Sequence, residues 1–97
     1  MKDTTTVIPT IEKETIEKLN FPEQDVHLLR ERMEERRSEI EKAMRLGNMF
    51  KAKVKIIFED SEGMKMVETT IWSVSDKNVG LKNGIFLPIH RVHSIAV

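Results

Sequence analysis

Apolar side chains recur at helical spacing in the first half of the chain and at every second position in the other, with the change near Phe50. From Pro22 to Leu46 no further Pro or Gly occurs, and Val26, Leu29, Met33, Ile40 and Ala43 follow the 3–4 alternation of a heptad seam. Pro22 suits a first helical turn, where its missing N–H costs nothing, and Phe21 can fold back on Val26 as a staple. With Gly47-Asn48 as a stop, the spacing predicts one helix of about 25 residues, roughly 37 Å long. Its middle, Arg30 to Glu41, is almost wholly charged, and Arg36 stands where an apolar residue is due. A helix with so thin a seam is half exposed or pairs with a second copy through Val26, Leu29, Met33, Arg36 and Ile40. Burying Arg36 would require a carboxylate, with Glu39 on the same helix or Glu34 of a second copy as candidates. The plainer reading leaves Arg36 facing water over a packed stem.

Upstream, residues 1–9 have little to bury and are expected to form a mobile tail. Thr10 is placed to cap a short helix over Ile11–Leu19, in which Ile11, Thr15 and Leu19 share a face. Residues 10–47 thus form a helical segment.

Beyond Phe50, Ala52, Val54, Ile56 and Phe58 alternate with Lys51, Lys53 and Lys55, the pattern of a half-buried strand. Asp60-Ser61-Glu62-Gly63 reads as a turn, Met64 to Ser75 as a strand long enough to bend across a sheet, and Val79-Gly80-Leu81 as a third strand. Asn83-Gly84 is a strong hairpin signal before Ile85-Phe86-Leu87. Residues 88–93 make a tight, 3₁₀-like turn into a last strand, Ile95-Ala96-Val97. The expectation for 50–97 is five antiparallel strands that remove their edges by curling into a small barrel. The fold class is therefore α+β.

The chain has 97 residues and a formal charge of zero, with 16 basic and 16 acidic side chains. Residues 1–50 carry 9 basic and 11 acidic groups and residues 51–97 carry 7 and 5, an imbalance too small to mark a nucleic-acid arm. Cys is absent, which excludes thiolate metal sites and cysteine nucleophiles. No apolar run is long enough for a membrane span and no signal peptide opens the chain, so a cytoplasmic location without membrane contact is expected.

Ile71-Trp72-Ser73-Val74-Ser75-Asp76-Lys77-Asn78-Val79-Gly80-Leu81-Lys82-Asn83-Gly84 resembles the Sm pattern of apolar strand, Asp turn, apolar strand and Asn/Gly turn. The ending Leu87-Pro88-Ile89-His90-Arg91-Val92-His93-Ser94-Ile95 is similar to that of Sm-like and wider SH3-like barrels. In the Hfq family of bacterial RNA chaperones a Lys-His element lies near this last turn, and His90 is the residue that matches it. The resemblance covers about half of the chain and implies a small barrel, with RNA as a partner class. Positions where the Sm motif carries Gly are here Thr69, Thr70 and Ile71.

For an RNA or ligand surface the candidates are Lys51, Lys53, Lys55, His90, Arg91 and His93. Lysines two strand residues apart, about 6.6 Å, can track a phosphate backbone, but the same pattern protects an edge strand. His90 and His93 have no Asp or Glu close in sequence and too few ligands for a metal, which favours a polar surface turn. Trp72 is expected in the core. Met33, Met44, Met49, Met64 and Met66 read as gap-fillers or as a docking surface. No phosphate loop, nucleophile elbow or zinc-protease motif occurs, so neither catalytic residues nor a metal or cofactor are assigned. The function expected is a non-enzymatic interaction or assembly module, homo-oligomeric or bound to a protein partner through the helix and the barrel edge. The alternative is an Sm-like RNA-binding protein.

Overall fold

The computed structural model describes residues 7–96. The mobile tail expected over 1–9 lies largely outside them, as does Val97 of the last strand. Pro9 to Ile11 run beside the second strand as a short parallel bridge, with Met66 N donating to Pro9 O and Ile11 N to Met66 O, both at 2.8 Å. A 3₁₀ helix, Lys13–Lys18, replaces the α-helix expected there, and Ile16 rather than Thr15 is its buried side chain. No side-chain hydrogen bond caps it.

The long helix α1 is Arg30–Phe50, 21 residues or about 31 Å. It starts eight residues later than the periodicity implies, so Val26 and Leu29 precede it instead of lying on it. The reason lies in His90. In a helix begun at Pro22, the Val26 N–H would bond to the Pro22 carbonyl. Here Val26 N donates to His90 O at 2.9 Å, and His90 Nε2 donates to Pro22 O at 2.8 Å. One residue takes both groups of the missing first turn. Residues 20–29 instead form a strap, with the Phe21 ring tilted against Phe58 at a centroid distance of 6.1 Å rather than stapled to Val26.

The other end also departs from expectation. α1 runs through Gly47 and Asn48 to Phe50, and Lys51 closes it with φ 55°, its N–H bonding to Gly47 O. Gly47 is buried, and a Cβ there would collide with the Ile71 carbonyl and Thr70 Cγ2. This glycine serves close approach of helix to strand, not helix termination.

Six strands follow in two antiparallel three-stranded sheets: β1 (Val54–Asp60), β2 (Gly63–Thr69), β3 (Ile71–Val74), β4 (Asn78–Leu81), β5 (Ile85–Pro88) and β6 (Val92–Ala96). Their orders are β2-β1-β6 and β3-β4-β5. The single bending strand expected over Met64–Ser75 divides at buried Thr70, whose Oγ1 donates to Lys51 O, and the chain changes sheet there. The five-stranded closed barrel is therefore not what the pairings form. A 3₁₀ turn, Ile89–Arg91, separates β5 from β6 and leads the chain from one sheet to the other.

Turn chemistry matches the sequence more closely. Asn83 and Gly84 take φ of 68° and 75° between β4 and β5, and Gly63 takes φ 144° after Asp60. The core lies between the sheets: Val54, Ile56 and Phe58 of β1, Val67, Ile71, Val79, Leu81, Ile85, Leu87 and Val92. Ile16, Ile89 and the α1 residues Ile40 and Ala43 complete it. Helix α1 packs on β3 and β6 of its own chain. Among the described residues, no helix is long and apolar enough to cross a membrane.

Gly47→Ala is expected to destabilise the fold by more than the ~1 kcal/mol that alanine contributes to helix propensity. Urea unfolding checks this, and a stabilised variant would contradict the close approach of α1 to β3.

Candidate functional site

Two surfaces carry chemistry, and they are built differently. The first is the polar junction where strap, helix and last strand meet. Arg36, 5% exposed, donates from Nη1 to Asp25 Oδ1 and from Nη2 to Asp25 Oδ2, both at 2.8 Å. Its Nη1 also donates to Val92 O at 3.2 Å, while its buried Nε has no hydrogen-bond partner among the described residues. Arg36 is thus buried with a carboxylate partner, but the partner is Asp25 on the strap, neither Glu39 nor a Glu34 from elsewhere.

Around this pair the strap is held by its backbone. Arg91 Nη1 donates to Gln24 O at 2.7 Å and Nε to Glu59 O at 2.9 Å. His27 N donates to Asp25 Oδ1, and His27 Nε2 to His93 O, at 2.8 Å each. His93 Nε2 meets Glu59 Oε1 at 2.8 Å. The 3₁₀ turn therefore faces the strap through buried Arg91 and half-buried His90, and His90 also lines the cleft beside it. Among the described residues, no group of three or more His, Cys, Asp or Glu is placed to hold a metal. A cleft of about 630 Å³ opens beside the junction, between Glu23 of the strap, Asp76 and Lys77 of the β3–β4 turn, and Pro88.

The lysines do not share one strand. Lys51 closes α1, Lys53 precedes β1, and only Lys55 lies in a strand, directly opposite Glu68 of β2. All three are exposed.

The second surface was missed by sequence reasoning. Trp72, expected in the core, is 50% exposed on β3, and Phe86 is 59% exposed on β5. Between them runs β4, with Gly80 paired to both Ser73 and Phe86. A Cβ at Gly80 would meet Ser73 Oγ and lie 3.5 Å from Phe86 Cε1, so glycine keeps the floor low. The result is an apolar groove of about 330 Å³, walled by Trp72 and Phe86, with Lys82 as the one charged residue lining it among the described residues. The signal was present in the spacing: Ile71 and Ile85/Leu87 hold the core positions of β3 and β5, which leaves Trp72 and Phe86 on the outer face. A bulge between Ile71 and Ser73 sharpens the turn of the strand there.

Compared with known proteins, the chain matches no family model, no curated protein and no solved structure.

Two carboxyl groups tie stability to pH. Burial pushes the Asp25 carboxyl up, but the Arg36 guanidinium and the His27 amide outweigh it and hold its pKa below the ordinary value. Asp60 behaves alike: burial raises it, while Lys65 and the amides of Glu62 and Gly63 bring it below the usual value. Each group binds its proton more weakly folded than unfolded. Their stabilisation is full above the ordinary carboxylate range and is lost as pH falls through the depressed folded range. Through these two groups, urea stability is expected to drop as pH falls below about 4. Asp25→Asn should be less stable at neutral pH and flatter on the acid side; an unchanged acid slope would contradict the assignment.

Proposed function

We propose that the protein is a non-enzymatic interaction module, and that its contact face is the outer side of β3–β4–β5. The supporting observation is that Trp72 and Phe86 stand half or more exposed on either side of Gly80. Large aromatics left in water are costly to solvent and are the residues that dominate binding energy when covered. The groove fits an extended segment of a partner protein with apolar side chains over Gly80 and an acidic residue opposite Lys82. Helix α1 is not the contact element through the expected seam, because Arg36 and Ile40 are buried within the chain.

As to fold, counting β2 and β3 as one strand bent at Thr70 gives the run β6-β1-β2/β3-β4-β5, which supports a small SH3-like or Sm-like barrel as the architecture. The competing reading is single-stranded RNA, since exposed aromatics stack on bases. Against it, Lys55 belongs to the other sheet and faces Glu68, and His90 and Arg91 are engaged by the strap.

Trp72 is the only tryptophan, so its fluorescence reports on the groove. Peptides selected from a random displayed library on this protein are expected to shift Trp72 emission and to bind Phe86→Ala at least about tenfold more weakly. Selected peptides indifferent to Phe86→Ala would overturn the proposal. So would an oligouridylate that quenches Trp72 with steep salt dependence, which would favour the RNA reading.

A further inference from the structure

Helix α1 buries Arg36, Ile40, Ala43 and Gly47. At about 100° per residue the opposite face carries Glu31, Glu34, Ser38, Lys42, Arg45 and Met49, all exposed. Along the axis this face reads acid, acid, serine, base, base, methionine. The order is its own complement when reversed about Ser38.

Influences within the chain do not account for it. The helix dipole favours acids only within the first turn, which covers Glu31 but not Glu34, Lys42 or Arg45. The ion pairs made by α1 are Arg32–Glu35, Arg37–Glu41 and Arg36–Asp25. Among the described residues none of these takes Glu31, Glu34, Lys42 or Arg45. Leu28, 93% exposed just before the helix, and Met49, 72% exposed near its end, are apolar groups left in water at its two extremes.

We infer that this face pairs antiparallel with the same face of a second copy, about a two-fold axis at Ser38. Glu31 of each copy then lies opposite Arg45 of the other, and Glu34 opposite Lys42. Met49 reaches the Leu28 end at both extremes. A parallel pair would set Glu31 on Glu31 and Arg45 on Arg45, so charge selects the antiparallel arrangement. Ser38 at the axis is small enough for the two backbones to approach closely. The seam is polar, and exposed ion pairs are individually weak and screened over about 10 Å at 0.1 M salt. The dimer is accordingly salt-sensitive. It shares no residue with the Trp72–Phe86 groove and stands independently of what that groove binds.

The test uses two charge-reversed chains in sedimentation equilibrium, Glu31→Lys with Glu34→Lys, and Lys42→Glu with Arg45→Glu. The wild-type chain is expected to dimerise at low salt and to dissociate at high salt. Each variant alone should associate at least about tenfold more weakly, because its face carries one sign of charge. An equimolar mixture should recover a one-to-one dimer. Should either double variant fail to fold by circular dichroism, the single exchanges Glu34→Lys and Lys42→Glu carry the same comparison. A wild-type chain monomeric at low salt and high concentration would overturn the inference, as would variants that self-associate as well as the wild type.

Discussion

The Arg36–Asp25 pair is the contact on which the rest of the arrangement depends. A guanidinium that is 5% exposed is unfavourable in a core unless a carboxylate meets it, and Asp25 meets it with both oxygens. That requirement draws the strap across the end of the sheets. Once there, the strap supplies carbonyls to His90 and Arg91, and Val26 supplies its N–H to the His90 carbonyl. The 3₁₀ turn between β5 and β6 is thereby held from outside, and β6 then pairs antiparallel with β1 across an irregularity at Ile57/Phe58. Helix start, turn and last strand thus meet around one ion pair and the backbone bonds beside it.

This frame turns the chain's apolar surface inward except at particular places. Helix α1 uses its narrow apolar stripe, Ile40 and Ala43, entirely on its own sheets, so its outer face is free to be charged. The second sheet is different. It buries Ile71, Val79, Leu81, Ile85 and Leu87 inward and still presents Trp72 and Phe86 outward. Two aromatic side chains exposed across a glycine floor are hard to explain by core packing, because the core is already filled without them. The two faces proposed as contacts differ in physical kind: pairing through the charged helix face would weaken with salt, and binding at the aromatic sheet face would not.

Much of the fold was legible because local chemistry and tertiary structure agree there. Alternation placed Val54, Ile56 and Phe58 inward, Asn83-Gly84 took positive φ as a hairpin turn requires, and Asp60 with Gly63 made the first turn. Where the two conflict, the sequence misled. Pro22 to Leu29 has helical spacing, but His90, about seventy residues away in sequence, competes for its backbone groups, and long-range competition leaves no periodic trace. Gly47 looked like a stop because local propensity cannot reveal the Ile71 carbonyl beside it. Arg36 was recognised as the informative helix residue, yet its partner lay on a segment wrongly assigned to the same helix. Of the candidate site residues, Arg91 is buried and hydrogen-bonded to the strap, His90 and His93 are half-buried and hydrogen-bonded, and the three lysines are exposed. The aromatic pair escaped because a lone Trp among β-branched residues is usually core, and only strand register separates the two cases.

The most direct test of this account is a double-mutant cycle on Asp25→Ala and Arg36→Ala, read by urea unfolding at neutral pH. The account predicts that either single change costs nearly as much as both together, with a coupling of about 2 kcal/mol. Independent, additive effects with coupling near zero would mean that the strap is held by its backbone bonds alone, and that the central ion pair does not organise the fold.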